Sequence, residues 1–433
     1  MSVPGCPKCE CRRAHHEGTP VNTRHRSGSD SPTRRQALQA LAAVLGATAA
    51  TGFAQAQPGS TGKSVQIDSL AQLSLAALRQ RDYSAGFQLE NRKDSGDWVS
   101  YRTDGLRVYA RIVAPPHELK RPPAGWPVVV YAHGWVGEEG APGYGFGVGS
   151  ADSMSAVLNR FVQAGYVVLV PGFRGHGTVK GVRAEGVEWI KAYDNGSYLS
   201  PIFYAVDVLH ALQALATIDQ VVPGLQVDPK RIYLTGHSQG GDAALTALAV
   251  SSSPVLPLKF AAASLWAGCF EGRIEQGLFY GAMEASADAL KDPRFLHVMP
   301  SWWKPSMYFG TVEQGQQRRQ RQMVDTVRRF VADQADAHPQ KQPLDAAMAA
   351  IDAIKHPQFI RVPLQLHFSD MDHYSPPAWN ELLAQRINSA GGRAQALRYP
   401  GNTHGFRVEP GWSPAGSVPG FDAIGVRSLA LFS

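Results

Sequence analysis

The stretch "TGHSQGGDAAL", residues 235–245, decides the fold of this chain. It follows the apolar run "RIYL" at 231–234 and leads into an alanine-rich segment, so a strand, a tight turn and a helix come in succession. Ser238 lies at the turn, and the glycines around it leave room for strand and helix to approach each other. A serine hydroxyl becomes a nucleophile only when a base and an acid lie within reach, so the rest of the chain must supply these partners.

Apolar strands alternate with helical segments on both sides of this turn. The runs "WPVVVYAHG" (126–134), "GYVVLVP" (165–171) and "KFAAASLWAG" (259–268) are nearly continuous in apolar residues, as is typical of parallel strands buried on both faces. Helices are predicted at 152–164 and 202–216, and from the turn to about Val250. We therefore predict an α/β fold, in which helices cover both faces of a mostly parallel central sheet.

Three further features extend the fold prediction to the segments before and after these strands. The stretch "YRTDGLRVYARIVAP" (101–115) contains an Asp-Gly turn signal, which predicts an antiparallel hairpin ahead of the parallel strands. The segment "SLAQLSLAALRQR" (69–81) has the spacing of an amphipathic helix. After the sheet strand "VPLQLHF" (362–368), the alternation continues with a helix at 377–390 and the strand "AQALRYP".

The alternation is interrupted between 271 and 360. We interpret this stretch as a helical cap inserted into an α/β domain whose two parts are residues 57–270 and 361–433. Loops at the carboxyl ends of parallel strands surround the active site, so the cap is expected to lie over Ser238. Its aromatic residues either form the cap's own small core or line an acyl pocket. The candidate pocket residues are Trp302, Trp303 and Tyr308.

Candidates for the acid and the base follow Ser238 along the chain. The loop in "LQLHFSDMDHYSPP" (364–377) offers two acids, Asp370 and Asp372, and "YPGNTHGF" (399–406) offers His404 as the base. This order of serine, acid and histidine resembles the α/β-hydrolase superfamily. The resemblance favours Asp372, which stands four residues before Pro376, with Asp370 as the alternative that shapes the turn. For His404 the alternative is a loop histidine that caps a turn.

Acyl transfer also requires donors that hold the oxyanion. The resemblance implies the backbone N–H of Gln239, directly after the nucleophile, and the backbone N–H of Trp135 in the stretch His133-Gly134-Trp135. Arg174 and His176, in "GFRGHG" (172–177), are expected to brace loops rather than react. No H-x-x-x-H pair occurs and acyl transfer needs no cofactor, so we predict neither a metal site nor a cofactor.

The resemblance also bears on the bond that is cleaved. The hairpin at 101–115 is similar to the catalytic domains of prolyl-oligopeptidase-type peptidases and dienelactone-hydrolase-like esterases. The elbow "GHSQGG" is similar to those of secreted lipases and esterases, which implies a carboxylic ester as substrate, either a small molecule or lipid-like. A peptidase or amidase, and a non-catalytic binding protein on the same scaffold, are the alternatives. The acyl and alcohol groups and the oligomeric state stay open at this point.

The N-terminal residues 1–56 have the pattern of an export signal. Arg34-Arg35 precedes a short apolar run from Ala37 to about Phe53 and a small-residue cleavage site at 54–56. The arginine pair resembles the bacterial twin-arginine signal. We therefore expect this region to be removed and the mature chain to be periplasmic or secreted, without a stable membrane span. A membrane anchor is the alternative.

Charge and cysteine content fit this interpretation. Residues 1–56 contain seven Lys or Arg and three Asp or Glu, so they carry +4 of the formal net charge of +6. The remainder is nearly neutral, which argues against a nucleic-acid-binding protein. Of the four cysteines only Cys269 lies after residue 56, so the mature chain is expected to contain no internal disulfide.

Overall fold

The structure of the protein is a computed structural model that describes residues 70–93, 96–136, 140–147, 153–187, 199–273, 276, 346, 349–372, 374–408 and 413–433. The predicted export signal (1–56), the candidate pocket residues Trp302, Trp303 and Tyr308, and most of the predicted cap (271–360) lie outside these residues.

Nine of the strands in the described part form one large sheet. The strands are β1 (Gln88–Asn91), β2 (Asp97–Thr103), β3 (Leu106–Val113), β4 (Trp126–Ala132), β5 (Val167–Pro171), β6 (Thr178–Val179), β7 (Val182–Arg183), β8 (Val227–His237), β9 (Ala262–Trp266), β10 (Pro363–Ser369) and β11 (Arg393–Tyr399). The order in the large sheet is β1-β2-β3-β5-β4-β8-β9-β10-β11, and β6 and β7 form a separate small hairpin. In the large sheet, the pairs β1–β2, β2–β3 and β3–β5 are antiparallel. The remaining five pairs, β5–β4, β4–β8, β8–β9, β9–β10 and β10–β11, are parallel.

Helices flank the sheet on both faces. The α-helices of the described part are α1 (Leu75–Leu78), α2 (Ser153–Gln163), α3 (Ser200–Ala214), α4 (Ile218–Val221), α5 (Gln239–Ser251), α6 (Pro377–Ser389) and α7 (Phe421–Phe432). Single 3₁₀ turns lie at Leu70–Leu73, Ala141–Gly143, Leu215–Thr217, Ala353–Lys355 and Pro357–Phe359. This architecture confirms the predicted α/β-hydrolase fold.

The apolar strands divide their side chains between two cores. In β4, Val128 and Val130 lie in the core beneath α3, α5 and α6, whereas Val129 lies in the core beneath α2 and α7. All three are fully buried. Successive side chains of a strand point to opposite faces, so a strand covered on both sides must be apolar at every position. This explains the continuous apolar runs in the sequence.

Helix α3 owes its apolar composition to its place in the core. The stretch Ser200–Val221 is the one span in the described part that is long and apolar enough to cross a membrane, with a mean hydropathy of 1.4. However, 89% of the apolar 18-residue window in this span is buried inside the protein. Because α3 packs between β2 and α5, its hydrophobicity is that of a core helix.

The amphipathic helix predicted over 69–81 is wrong. The structure has the 3₁₀ turn Leu70–Leu73 followed by the single helical turn α1. Ser74 separates the two, because its hydroxyl donates to the Ala71 carbonyl at 2.7 Å and accepts from the Ala77 N–H at 3.3 Å. A serine that binds nearby backbone groups in this way ends one turn and caps the next.

Three parallel strands bring their carboxyl ends to the same edge of the sheet. Ala132 at the end of β4 pairs with Gly236 of β8, and His237 at the end of β8 pairs with Trp266 at the end of β9. The loops that follow these strands therefore meet at one place, as in other open α/β sheets. All of the predicted catalytic and oxyanion residues lie in or beside loops at this edge.

Candidate active site

Ser238 occupies a strained turn between β8 and α5. Its backbone angles are φ 56° and ψ −127°, a region that L-amino acids rarely adopt. The Ser238 N–H donates to the Trp266 carbonyl of β9 at 3.0 Å, which ties the turn to the neighbouring strand. Although Ser238 precedes the first residue of α5, its side chain makes no capping bond to the helix. The hydroxyl is therefore not engaged in holding the helix end.

The glycines of the elbow are required by close backbone contacts. A Cβ at Gly240 would lie 2.2 Å from the carbonyl oxygens of Ala132 and His133. A Cβ at Gly236 would lie 2.5 Å from the Gly240 carbonyl oxygen. Real Cβ atoms do not approach backbone this closely, so the crossing of β8, α5 and the end of β4 depends on the absence of side chains.

His404 and Asp372 form a hydrogen-bonded pair. The His404 Nδ1 lies 2.8 Å and 2.9 Å from the two carboxylate oxygens of Asp372. Asp372 is fully buried, and the backbone N–H groups of Tyr374 and Ser375 donate to its Oδ1 at 2.8 Å and 3.0 Å. A carboxylate held in this way accepts a hydrogen bond from Nδ1–H, which fixes the tautomer in which Nε2 can act as a base.

Asp370, the alternative acid, has different partners. Its Oδ1 accepts the Gly401 N–H at 2.6 Å, and its Oδ2 faces Arg398 at 3.3 Å. It therefore fastens the end of β10 to the loop that carries His404. Of the two acids considered from the sequence, only Asp372 contacts the His404 ring.

His237, the last residue of β8, links the turn at Ser238 to the loop that carries His404. His237 Nε2 lies 3.0 Å from the His404 carbonyl oxygen, and the two rings are 4.8 Å apart between centroids. Among the described residues, no hydrogen bond joins the Ser238 hydroxyl to the His404 ring. In free enzymes this contact is often long, and it shortens when substrate binds.

The loop after β4 packs directly on the nucleophile elbow. A Cβ at Gly134 would lie 3.3 Å from Ser238 Cβ and 3.3 Å from the His237 carbonyl oxygen, so the glycine lets this loop approach the serine. Trp135, whose backbone N–H is the second predicted oxyanion donor, follows at once, and its side chain is 61% exposed. The first predicted donor, the N–H of Gln239, opens α5.

His133, the buried residue directly after β4, sets the orientation of this loop. Its Nδ1 donates to the Gly134 carbonyl at 2.7 Å, and its ring is stacked between Tyr144 and Phe173, with centroids 4.0 Å from each. Burial, together with the nearby His176, lowers the pKa of His133 well below its usual range, so the ring is neutral. The Gly134 carbonyl and the Trp135 N–H belong to one planar peptide unit and point in opposite directions. Fixing the carbonyl therefore also fixes the direction of the N–H.

Arg174 braces the loop after β5, as predicted. Its guanidinium is completely buried and lies 2.6 Å from Asp207 of α3 and 3.1 Å from Asp104. The Arg174 N–H also donates to Asp207 at 2.8 Å. These bonds join α3, the β2–β3 turn and the loop after β5, and none of them reaches Ser238.

A second buried ion pair was not found from the sequence. Arg273 lies 2.5 Å from Asp242 of α5 and 2.9 Å from Asp352, and all three side chains are about 3% exposed. Arg273 and Asp352 stand near the two ends of the predicted cap. The one signal in the sequence was Asp242 itself, an acid one helical turn after Ser238 in a helix that contains no other charged residue. Within the described residues no group of three or more potential ligands could hold a metal ion.

The sheet order and the strained elbow identify the architecture. The chain has the α/β-hydrolase fold. No family model and no curated protein matches the sequence.

Solved structures with a similar overall arrangement include esterases and a peptidase. An acetyl xylan esterase from Paenibacillus sp. R4 is 20% identical, with a TM-score of 0.47, over 82% of this chain and 91% of that one. Acetyl xylan esterase 1 from Thermoanaerobacterium sp. JW/SL YS485 is 16% identical, with a TM-score of 0.48, over 86% of this chain and 96% of that one. A puromycin-hydrolyzing peptidase from Mycobacterium tuberculosis is 16% identical, with a TM-score of 0.43, over 80% of this chain and 39% of that one.

Proposed function

We propose that this chain is an exported serine hydrolase that cleaves carboxylic esters through an acyl-enzyme on Ser238. The observation that carries the proposal is the pairing of His404 Nδ1 with the buried Asp372 carboxylate beside a serine held at a strained elbow. The buried carboxylate fixes the tautomer of the base, and the elbow presents a hydroxyl that does not cap its helix.

In the proposed reaction, His404 Nε2 takes the proton of the Ser238 hydroxyl as Ser238 Oγ attacks the ester carbonyl. The carbonyl oxygen becomes an oxyanion, which the N–H groups of Gln239 and Trp135 stabilise. Collapse of the tetrahedral intermediate expels the alcohol, which receives the proton from His404. In the second half of the reaction, His404 takes a proton from water as the water attacks the acyl-enzyme carbonyl. Collapse of this second intermediate returns the proton to Ser238 Oγ and releases the carboxylic acid.

We propose an ester rather than an amide as substrate because the elbow sequence "GHSQGG" is similar to those of secreted esterases and lipases. A peptidase or amidase would use the same triad, but its transition state must protonate an amine leaving group and its site must hold a peptide. The two activities are therefore separated by substrate and not by the catalytic residues.

The proposal is tested with the purified mature chain on two substrate series. We expect turnover of p-nitrophenyl acyl esters, little or no turnover of aminoacyl-p-nitroanilides, and covalent labelling by a fluorophosphonate. Ser238→Ala should lose turnover and labelling with an unchanged circular dichroism spectrum, whereas the exposed Ser433→Ala should behave as wild type. Faster cleavage of the anilides would favour the peptidase. No labelling of the folded wild type would favour a binding protein.

Export is tested separately in a bacterium with a twin-arginine pathway. Replacing both arginines, Arg34→Lys with Arg35→Lys, should leave the precursor in the cytoplasm, because this pathway reads the arginine pair. Replacing the lysine outside the pair, Lys8→Arg, serves as the control and should not affect export. Normal periplasmic accumulation of the double variant would contradict a twin-arginine signal.

A further inference from the structure

We infer that His237 is a positioning residue. It holds the loop after β11, which carries the base His404 and is called the base loop below, against the nucleophile elbow. The inference rests on the proposed function, because it concerns how His404 reaches Ser238. His237 is the residue directly before Ser238, and its ring spans the gap between the loop after β4 and the loop that carries His404. Neither the sequence pattern nor the triad itself requires a histidine at this position.

The hydrogen-bond chemistry fixes the role of Nε2 of His237. A carbonyl oxygen only accepts, so the Nε2 that lies 3.0 Å from the His404 carbonyl must carry the proton and donate it. On the other side of the ring, Nδ1 lies 3.3 Å from the position that a Cβ at Gly134 would occupy. The ring therefore lies between the loop after β4, which is on its Nδ1 side, and the loop that carries His404, which Nε2 binds.

The bond from His237 reaches the His404 carbonyl, which the hydrogen bonds within the base loop do not engage. Thr403 N–H donates to the Arg407 carbonyl at 3.0 Å, and Phe406 N–H donates to the Thr403 carbonyl at 2.9 Å, so the loop is closed on itself around His404. Within the described residues, the His404 carbonyl accepts a hydrogen bond from His237 alone. The donor comes from the residue next to the nucleophile, so the bond sets the distance between Ser238 and the base.

Asp372 by itself does not fix that distance. It holds the Nδ1 edge of His404, but the imidazole can still pivot about this contact and move Nε2 relative to Ser238. A second anchor on the backbone of the same residue removes this freedom. Catalytic groups need to be held to within about 0.5 Å, and a misplacement of about 1 Å costs on the order of 10²-fold in rate.

The first experiment replaces His237 with side chains that keep or lose the donor. We expect His237→Ala and His237→Leu to lower kcat by about 10- to 100-fold while KM changes by less than about threefold, since ground-state binding is not altered. His237→Gln, whose amide nitrogen reaches as far as Nε2, should recover most of kcat. Equal losses for the alanine and glutamine variants with unchanged thermal unfolding would overturn the inference.

The second experiment asks whether His237 acts through His404. In a double-mutant cycle, His237→Ala should cost less than about twofold in the His404→Ala background, because the group that it positions is already absent. The readout is the rate of a fluorogenic ester together with the rate of fluorophosphonate labelling. Additive losses would show that His237 acts independently of the base and would overturn the inference while leaving the hydrolase intact. A wild-type protein without Ser238-dependent turnover would overturn both.

Discussion

At the residue scale, Asp372 and Asp370 show how two acids only two positions apart acquire different roles. Asp372 is buried and accepts three hydrogen bonds, one of them from His404, whereas Asp370 faces Gly401 and the half-exposed Arg398. Because only one of them touches the base, the two positions make a matched pair for mutagenesis.

We predict that Asp372→Asn lowers kcat by about 10⁴-fold, because an amide no longer fixes the Nδ1–H tautomer of the base. Asp370→Asn should lower kcat by less than about tenfold, since its carboxylate only fastens the loop. Steady-state kinetics on a short ester measure both effects, with thermal unfolding as the control for folding. A larger loss for Asp370→Asn would mean that Asp370 is the acid.

At the scale of elements, the elbow depends on contacts between backbones. We predict that Gly240→Ala destabilises the fold by at least about 3 kcal/mol, because its Cβ would lie 2.2 Å from two carbonyl oxygens at the end of β4. Gly143 is the matched control: a Cβ at this position would have no atom within 4 Å, so Gly143→Ala should be nearly neutral. Denaturant unfolding of both variants tests the prediction. Equal midpoints would contradict it.

The ion pair between α5 and the ends of the predicted cap makes the stability of the fold depend on pH. Burial raises the pKa of Asp352 from 3.8 to about 6, although Arg273 opposes the shift by favouring the carboxylate. Arg273 is shared with Asp242, so one guanidinium serves two buried carboxylates. The folded chain therefore holds the Asp352 proton more tightly than the unfolded chain does.

It follows that the contribution of Asp352 to stability is fully present below about pH 4 and is lost as the pH rises through about 6. We predict that the unfolding free energy of wild type, measured relative to Asp352→Asn, falls between these pH values by up to about 3 kcal/mol. Denaturant unfolding at several pH values measures the difference. A difference that rises with pH would mean that Arg273 lowers the pKa instead.

The sequence predicted elements better than it predicted contacts between them. Strands such as β4 were recognisable because every residue had to be apolar, and the elbow was recognisable because its glycines had to be small. By contrast, the helix over 69–81 failed at Ser74, where local side-chain bonds outweighed the periodic pattern. The bond from His237 to the His404 carbonyl joins positions 167 residues apart, and no local pattern encodes such a pairing.

At the scale of the whole molecule, the predicted cap at 271–360 begins and ends beside the nucleophile helix. Near its start, the Gln276 amide donates to the Cys269 carbonyl at 2.5 Å and to Asp242 at 3.1 Å. Near its end, Asp352 binds Arg273, which in turn binds Asp242. Asp242 lies one helical turn after Ser238, so both ends of the segment are anchored close to the elbow.

A segment anchored in this way is well placed to shape the substrate site, which is the argument for a cap over Ser238. We predict that Trp302→Ala and Trp303→Ala change the preference for acyl length, because large apolar side chains bind the acyl chain and exclude water from it. The ratio of kcat/KM for a long-chain ester to that for an acetyl ester should change by about tenfold, while acetyl ester turnover changes little. Leu119→Ala, in the loop before β4 at the opposite edge of the sheet, is the control and should leave the ratio unchanged. If both tryptophan variants lose activity equally on all esters, or on none, these side chains do not line the acyl site.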